Sequence, residues 1–168
     1  MADITPSLIA SLSAEAERIE EDSLYSSKGH FEAARRWDLC NLGIGTTAAL
    51  AAAAAGISVL RKDTVISALL AFLSASSSAL LTFLNPRDRA GQHLKAGNLY
   101  KALHNDSRIF RQIDCQGQSQ QDLSSSLKAL NTRRNALNSE APQVPRSAFR
   151  RARKGIEQGE ATYKADRP

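Results

Sequence analysis

Two uncharged stretches, Leu39 to Leu60 and Thr64 to Leu84, stand in the middle of the chain with only Arg61, Lys62 and Asp63 between them. No other feature restricts the fold as strongly. A helix rises ~1.5 Å per residue, so a bilayer core of ~30 Å takes about 20 residues. The stretches have 22 and 21. Three residues suffice for a tight reversal, so the pattern predicts a transmembrane helical hairpin over 39–84, with helices at 39–60 and 64–84.

A buried hairpin of a soluble protein is the competing reading. The second stretch carries ten strongly apolar residues but also five serines and two threonines, and the first carries only seven among alanines and glycines. At roughly −0.3 to −0.6 kcal/mol per central Leu, Ile, Val or Phe, each gains only a few kcal/mol on insertion. Neither contains a single Lys or Arg, however, and one at the centre would cost ~2.5–3.5 kcal/mol. In a soluble hairpin a charge normally appears on the outer face every turn or two. The absence of charge from both stretches favours lipid.

Charge divides unevenly along the 168 residues: net −4 over 1–38, +1 in the turn, and +8 over 85–168. An acidic arm and a basic helical region therefore flank the hairpin. Lys28, Arg35 and Arg36 precede the first stretch and Arg87, Arg89, Lys95 and Lys101 follow the second, against Arg61 and Lys62 in the turn. This bias predicts a multi-pass plasma-membrane protein with both termini cytoplasmic. The first stretch begins too late to read as a cleaved secretory signal. Cys40 and Cys115 are distant and fit neither a disulfide framework nor a zinc site.

Thr5 before Pro6 predicts a helix start, and Leu8, Leu12, Ala16, Ile19 and Ser23 recur at helical spacing with acids on the other faces. Residues 1–38 thus form an N-terminal amphipathic helix, with a break expected near Gly29. Trp37, two residues before the uncharged stretch, suits the headgroup level. Asn85-Pro86 ends the second span and starts another helix, on which Ala90, Leu94, Gly97, Lys101 and His104 mark one face. Gln116 to Gln121 reads as a loop. Ser119 and Asp122 cap a helix carrying Leu123, Leu127, Leu130 and Leu137, and a last helix is expected from about Ser147 to Tyr163. Residues 85–168 form a cytoplasmic helical region, and the fold class is an all-α membrane protein.

Within the hairpin the small residues are ordered. Gly45, Ala48, Ala52 and Gly56 fall on one stripe of the first helix, and Ser67, Ser74, Ser78 and Thr82 on one stripe of the second. Small residues let helices approach closely in lipid. The hydroxyls either bond to their own helix and pack on the partner's small stripe, or, in a homo-oligomer, line a conduit.

No nucleophile elbow, Walker loop, dinucleotide-binding glycine pattern or H-E-x-x-H occurs, so no catalysis, cofactor or metal site is expected. His93 and His104 share a face but lie about 16 Å apart along a helix, too far for one ion. Arg146, Arg150, Arg151, Arg153 and Lys154 form the one notable charged cluster. It reads as a solvated face, a contact for anionic headgroups, or a receptor for an anionic nucleotide; with no aromatic stacking platform among these residues, specific nucleic-acid binding is not expected.

The order of these features resembles the SLATT family, the SMODS and SLOG-associating two-transmembrane effector domain. The resemblance lies in Ile19-Glu20-Glu21-Asp22-Ser23-Leu24-Tyr25-Ser26-Ser27-Lys28-Gly29-His30-Phe31, in Trp37 and Asn41-Leu42-Gly43-Ile44 leading into the hairpin, and in Asn85-Pro86 leaving it. It continues through Arg89-Ala90, His93, Gly97-Asn98-Leu99-Tyr100, Leu103, Leu137, Ala141-Pro142, Pro145, Ile156, Gly159-Glu160 and Tyr163, over about residues 8 to 166. It implies a membrane effector of prokaryotic antiviral conflict systems, seated in the inner membrane, that oligomerises and breaches the host membrane. Such proteins accompany nucleotide second-messenger synthetases or nucleotide sensors. With no such domain in this chain, the trigger is expected from another polypeptide or a diffusible ligand. The family supplies no catalytic or ligand residues to carry over.

Overall fold

Proline at position 6 provides the fixed φ that suits a first helical turn, and no residue between it and Leu60 interrupts the hydrogen-bond ladder. In the computed structural model, which describes residues 6–116 and 119–162, α1 accordingly runs unbroken from Pro6–Leu60. It is followed by α2 (Thr64–Leu84), α3 (Pro86–Gln112), a 3-10 turn (Asp114–Gln116), α4 (Gln120–Glu140) and α5 (Arg146–Glu157). No strand occurs among the described residues. The fold is all-helical, and two helices are long and apolar enough to cross a membrane.

Several local expectations need correction. The break near Gly29 is absent: a glycine costs a helix only ~1 kcal/mol, and here Gly29 is buried where an added Cβ would come within 3.3 Å of Val144. Gln116 ends the 3-10 turn and Gln120 already begins α4, so the expected loop is shorter. Helix α5 stops at Glu157, well before Tyr163, and the chain continues in turns through Gly159 with its positive φ of 85°. Thr5 and Tyr163 lie outside the described residues. Ser119 does cap α4, its Oγ accepting from the Asp122 amide at 3.3 Å.

The contacts gather these helices into two units. One comprises the described residues up to Ala33 together with those from Gln92 onward; the other is Ala34–Gly91.

The first unit has an ordinary water-excluding core. Leu12, Ala16, Phe110, Cys115 and Leu123 pack with Leu8, Ile9, Leu127 and Leu130, and Ile19, Tyr100, Leu103 and Leu137 continue the core beside them. On α3 the buried face reads His93, Ala96, Tyr100, Leu103, Ser107 and Phe110, while Leu94 is half exposed. Spacings of three and four keep this stripe against its neighbours; of the expected face, Ala90, Gly97 and His104 are buried, whereas Leu94 and Lys101 lie off it. Gly97 is required by close approach: a Cβ there would sit 2.7 Å from the Phe31 ring. Ion pairs fringe this core, with Arg111 to Glu20 at 2.9 Å and Arg133 to Asp106.

Candidate functional site

The second unit joins the end of α1 to α2. Leu60 ends α1 where the first uncharged stretch ends, and Lys62, with φ 63°, makes the left-handed step of the reversal. Helix α2 closes at Asn85, left-handed with φ 42°, whose amide donates to the Leu81 carbonyl at 3.0 Å. Arg89 then folds back, its Nε donating to the Leu84 carbonyl at 2.9 Å and its guanidinium lying 5.0 Å from the Trp37 ring centre. Trp37 therefore has a partner inside the protein.

The two helices run antiparallel. Ser74 Oγ donates to the Ala48 carbonyl at 2.9 Å, Ser67 Oγ to the Ala55 carbonyl at 3.4 Å, and Gly45 lies against Leu81. Each of these pairs moves forward on one helix as it moves back on the other. The buried line on α1 is Ala48, Ala51 and Ala55, with Ile44 and Ser58 half-buried; on α2 it is Ser77, with Ser67, Leu70, Ser74, Leu81 and Leu84 half-buried. These positions alternate steps of three and four, the 3.5-residue repeat of helices wound around each other.

That repeat revises the stripes expected from spacing alone. Gly45 and Ala48 are at or near the contact, but Ala52 and Gly56 are exposed. Ser67 and Ser74 reach across to the other helix, whereas Ser78 and Thr82 are exposed and donate to the carbonyls of their own helix, four residues back, at 3.0 and 3.2 Å. A strict four-residue step drifts off a seam that repeats every 3.5 residues, which separates the two halves of each stripe.

The side chains this pair leaves outside are its largest. Leu50, Leu60, Val65, Leu69, Phe72 and Phe83 are between 65% and 84% exposed. Of the two apolar windows, only 11% and 6% is buried. The fully buried positions are alanine and serine; both phenylalanines and most of the leucines are outside. The contact line also divides the exterior in two. At ~100° per residue, Gly45, Ala49, Ala52 and Gly56 of α1 lie on one flank of the seam. Because the helices are antiparallel, Ala71, Ala75, Ser78 and Thr82 of α2 lie on the same flank, so one side of the pair is lined by small residues. The other flank of α2 carries Ile66, Leu69, Leu73 and Leu80.

In the first unit, α5 turns Ala148, Ala152 and Gly155 inward and its cations outward. Arg151 lies 3.7 Å from Glu32 and Arg153 donates to Glu157 at 2.7 Å. Arg146, Arg150 and Lys154 are exposed and form no ion pair among the described residues. The five cations therefore do not converge on one point.

A polar pair that spacing could not reveal lies deeper. His30 of α1 and His93 of α3 are buried, with their Nδ1 atoms 3.0 Å apart. One must donate and the other accept, so the accepting ring is neutral with its proton on Nε2. Tyr100 stacks on His30 with ring centres 5.4 Å apart, and its hydroxyl donates to Asn138 Oδ1 at 2.8 Å. Burial, reinforced by the neighbouring His93, pushes the His30 pKa down to about 4; burial lowers that of His93 as well. His104 serves a different partner, its Nδ1 lying 3.0 Å from the Glu20 carbonyl. Among the described residues no group of three or more His, Cys, Asp or Glu is placed to hold a metal. Compared with family models, curated proteins and solved structures, the chain matches none.

Proposed function

We propose that the chain is a membrane effector whose α1–α2 pair spans the bilayer as a hairpin, assembles with further copies, and opens a pore when a nucleotide signal or a partner protein engages the rest of the chain. One observation carries this reading: the fully buried positions of the uncharged pair are alanine and serine, while both phenylalanines and most of its leucines stay outside. Contiguous apolar surface on this scale is foreign to a soluble monomer and natural against lipid tails. The small-residue flank is then the surface for the next copy, since close backbone approach replaces the missing hydrophobic drive between helices in lipid. Both termini lie on the cytoplasmic side of the inner membrane. The place in prokaryotic antiviral conflict systems rests on the SLATT-like pattern of residues.

A second reading has its own support. Ser78 and Thr82 satisfy their hydroxyls on their own helix and need no water, which suits a non-catalytic scaffold whose hairpin only anchors or associates. Two measurements separate the cases. The full-length protein stays in the pellet through alkaline carbonate extraction if the hairpin spans the membrane; release into the supernatant ends the pore and the anchor and leaves only a scaffold that associates through its hairpin. Dye-loaded liposomes then distinguish pore from anchor. A pore containing the small flank loses leakage on Ser78→Leu with Thr82→Leu while remaining integral, and an anchor releases no dye with either sequence.

A further inference from the structure

Helices α1, α4 and α5 of the first unit enclose an open groove of about 580 Å³, within the range of small-molecule sites. Its lining combines three chemistries. Arg18, Arg134 and Arg153 supply guanidinium groups, Tyr25 and Phe149 supply rings 6.5 Å apart and tilted by 35°, and Asp22 with its neighbour Glu21 supplies carboxylates. The spacing of 18, 22 and 25 on α1 and of 149 and 153 on α5 puts each set on a single helical face.

Arg134 is the most informative of these residues. Its side chain is only 23% exposed, yet its guanidinium is under-used: Nη2 donates to Asn131 Oδ1 at 2.7 Å, Nη1 is 3.9 Å from Asp22, and Nε has no partner among the described residues. A half-buried guanidinium with one good hydrogen bond retains capacity for a planar, bidentate acceptor such as a phosphate. The Phe149 side chain, 43% exposed, leaves an aromatic face open to a stacking ring. Arg18 and Arg153 hold Glu15 and Glu157 at the surface, in pairs exposed enough to exchange for a ligand anion at little cost.

We infer that this groove binds a nucleoside phosphate, its phosphate held by Arg134 with Arg18 or Arg153, its base against Phe149 and Tyr25, and its hydroxyl or amino donors accepted by Asp22. The chemistry follows from the lining: an inorganic anion would leave the rings idle, and an apolar ring would leave the guanidiniums idle. Only Arg153 of the α5 cluster takes part. The site gives the trigger in the proposed function a location, and to that extent rests on that reading, but occupancy is measurable without any pore.

Calorimetry on the full chain in detergent tests it, with ADP, GDP, CDP and UDP as probes beside inorganic pyrophosphate and adenosine. At least one nucleotide is expected to saturate below about 1 mM, with pyrophosphate and adenosine each at least tenfold weaker. Arg134→Ala and Phe149→Ala should each weaken nucleotide binding about tenfold, Phe149→Tyr should restore it, and Phe149→Ala should leave pyrophosphate binding unchanged. Far-ultraviolet circular dichroism confirms that each variant remains folded. No saturation by any of the four nucleotides, or binding indifferent to Arg134→Ala and Phe149→Ala, overturns the assignment. Leakage without nucleotide binding would sink the groove and leave the pore; nucleotide binding without leakage would do the reverse.

Discussion

The two units of this chain solve the packing problem in opposite ways. The first hides Ile19, Leu103, Phe110 and Leu123 completely and sets arginine–carboxylate pairs around them. The second hides Ala48, Ala51, Ala55 and Ser77 and leaves Leu69, Phe72 and Phe83 outside. In water, apolar burial at roughly 25 cal/mol per Å² decides which residues go inside. Where lipid is the solvent that preference vanishes, and close approach with interhelical hydrogen bonds decides instead. Side-chain size sorted inward in one unit and outward in the other is the pattern that the proposed membrane hairpin requires, with a change of solvent along a single helix, α1.

The sharpest way to break the comparison is to apply one kind of change to each unit. Phe110→Ala in the first should cost about 3–5 kcal/mol, because the side chain is fully buried and a cavity remains; chemical denaturation followed by circular dichroism measures it. In the second, Leu69→Arg is the informative change, since Leu69 is 65% exposed. A side chain facing water tolerates that exchange within about 0.5 kcal/mol. Facing lipid, five residues inside the start of α2, it costs up to ~2.5–3.5 kcal/mol, the value at a helix centre, and the carbonate-resistant fraction should fall. An unchanged fraction would mean that both units share one solvent.

Acid should act on the first unit through His30. The folded pKa of His30, about 4, lies below the ordinary histidine value of 6.5, so the folded state favours the neutral ring. The stability this contributes is fully present above pH 6.5 and is lost as pH falls toward 4. A full loss corresponds to about 3 kcal/mol. His93 is the only charge among the described residues that acts appreciably on His30, and no carboxylate offsets it. His30→Phe, which keeps a ring on Tyr100, should flatten the fall of the melting temperature between pH 6.5 and 4 relative to the native chain. Carboxylates titrating in the same window affect both proteins, so the difference between them is the readout.

Much of this architecture was legible in the residues, and the reason for what was not is the same in each case. The helices of the pair end at Leu60 and Leu84, where the uncharged stretches end, and the onset of charge is a local property of the sequence. The cap at Ser119 and the proline at position 86 are local too. The seam of the helix pair is not: whether Ala51 or Ala52 faces α2 depends on how two helices wind together, and a row of small residues fits either choice. His30 and His93 lie 63 positions apart, and only their folded neighbours bring the rings together. The groove is likewise a meeting of three helices, and although Arg153 stood out in its cluster of cations, nothing in the sequence joined it to Arg18 and Arg134.

A smaller effect tests the packing of the first unit. Gly97→Ala drives a methyl to within 2.7–2.8 Å of two carbons of the half-buried Phe31 ring. The strain should cost about 1–3 kcal/mol, visible as a lower denaturation midpoint with an unchanged slope. A neutral result would show the Phe31 ring free to turn aside.

Ser74→Ala has the smallest effect and bears most directly on how the second unit is held together. The hydroxyl reaches the Ala48 carbonyl, which keeps a place in the ladder of α1, so the substitution removes a bond without stranding an acceptor. Interhelical bonds of this kind in membranes average about 0.6 kcal/mol and reach about 1.7. Ser78→Ala removes only a bond within its own helix, of a sort that slightly destabilises helices, and should be neutral or marginally stabilising. Reversible unfolding of the full chain in mixed micelles, followed by helicity, ranks the two. Ser74→Ala destabilised relative to Ser78→Ala means the pair is fastened by hydroxyl-to-backbone bonds across the seam. Equal values would mean that close contact along Ala48, Ala51 and Ala55 alone keeps the helices together.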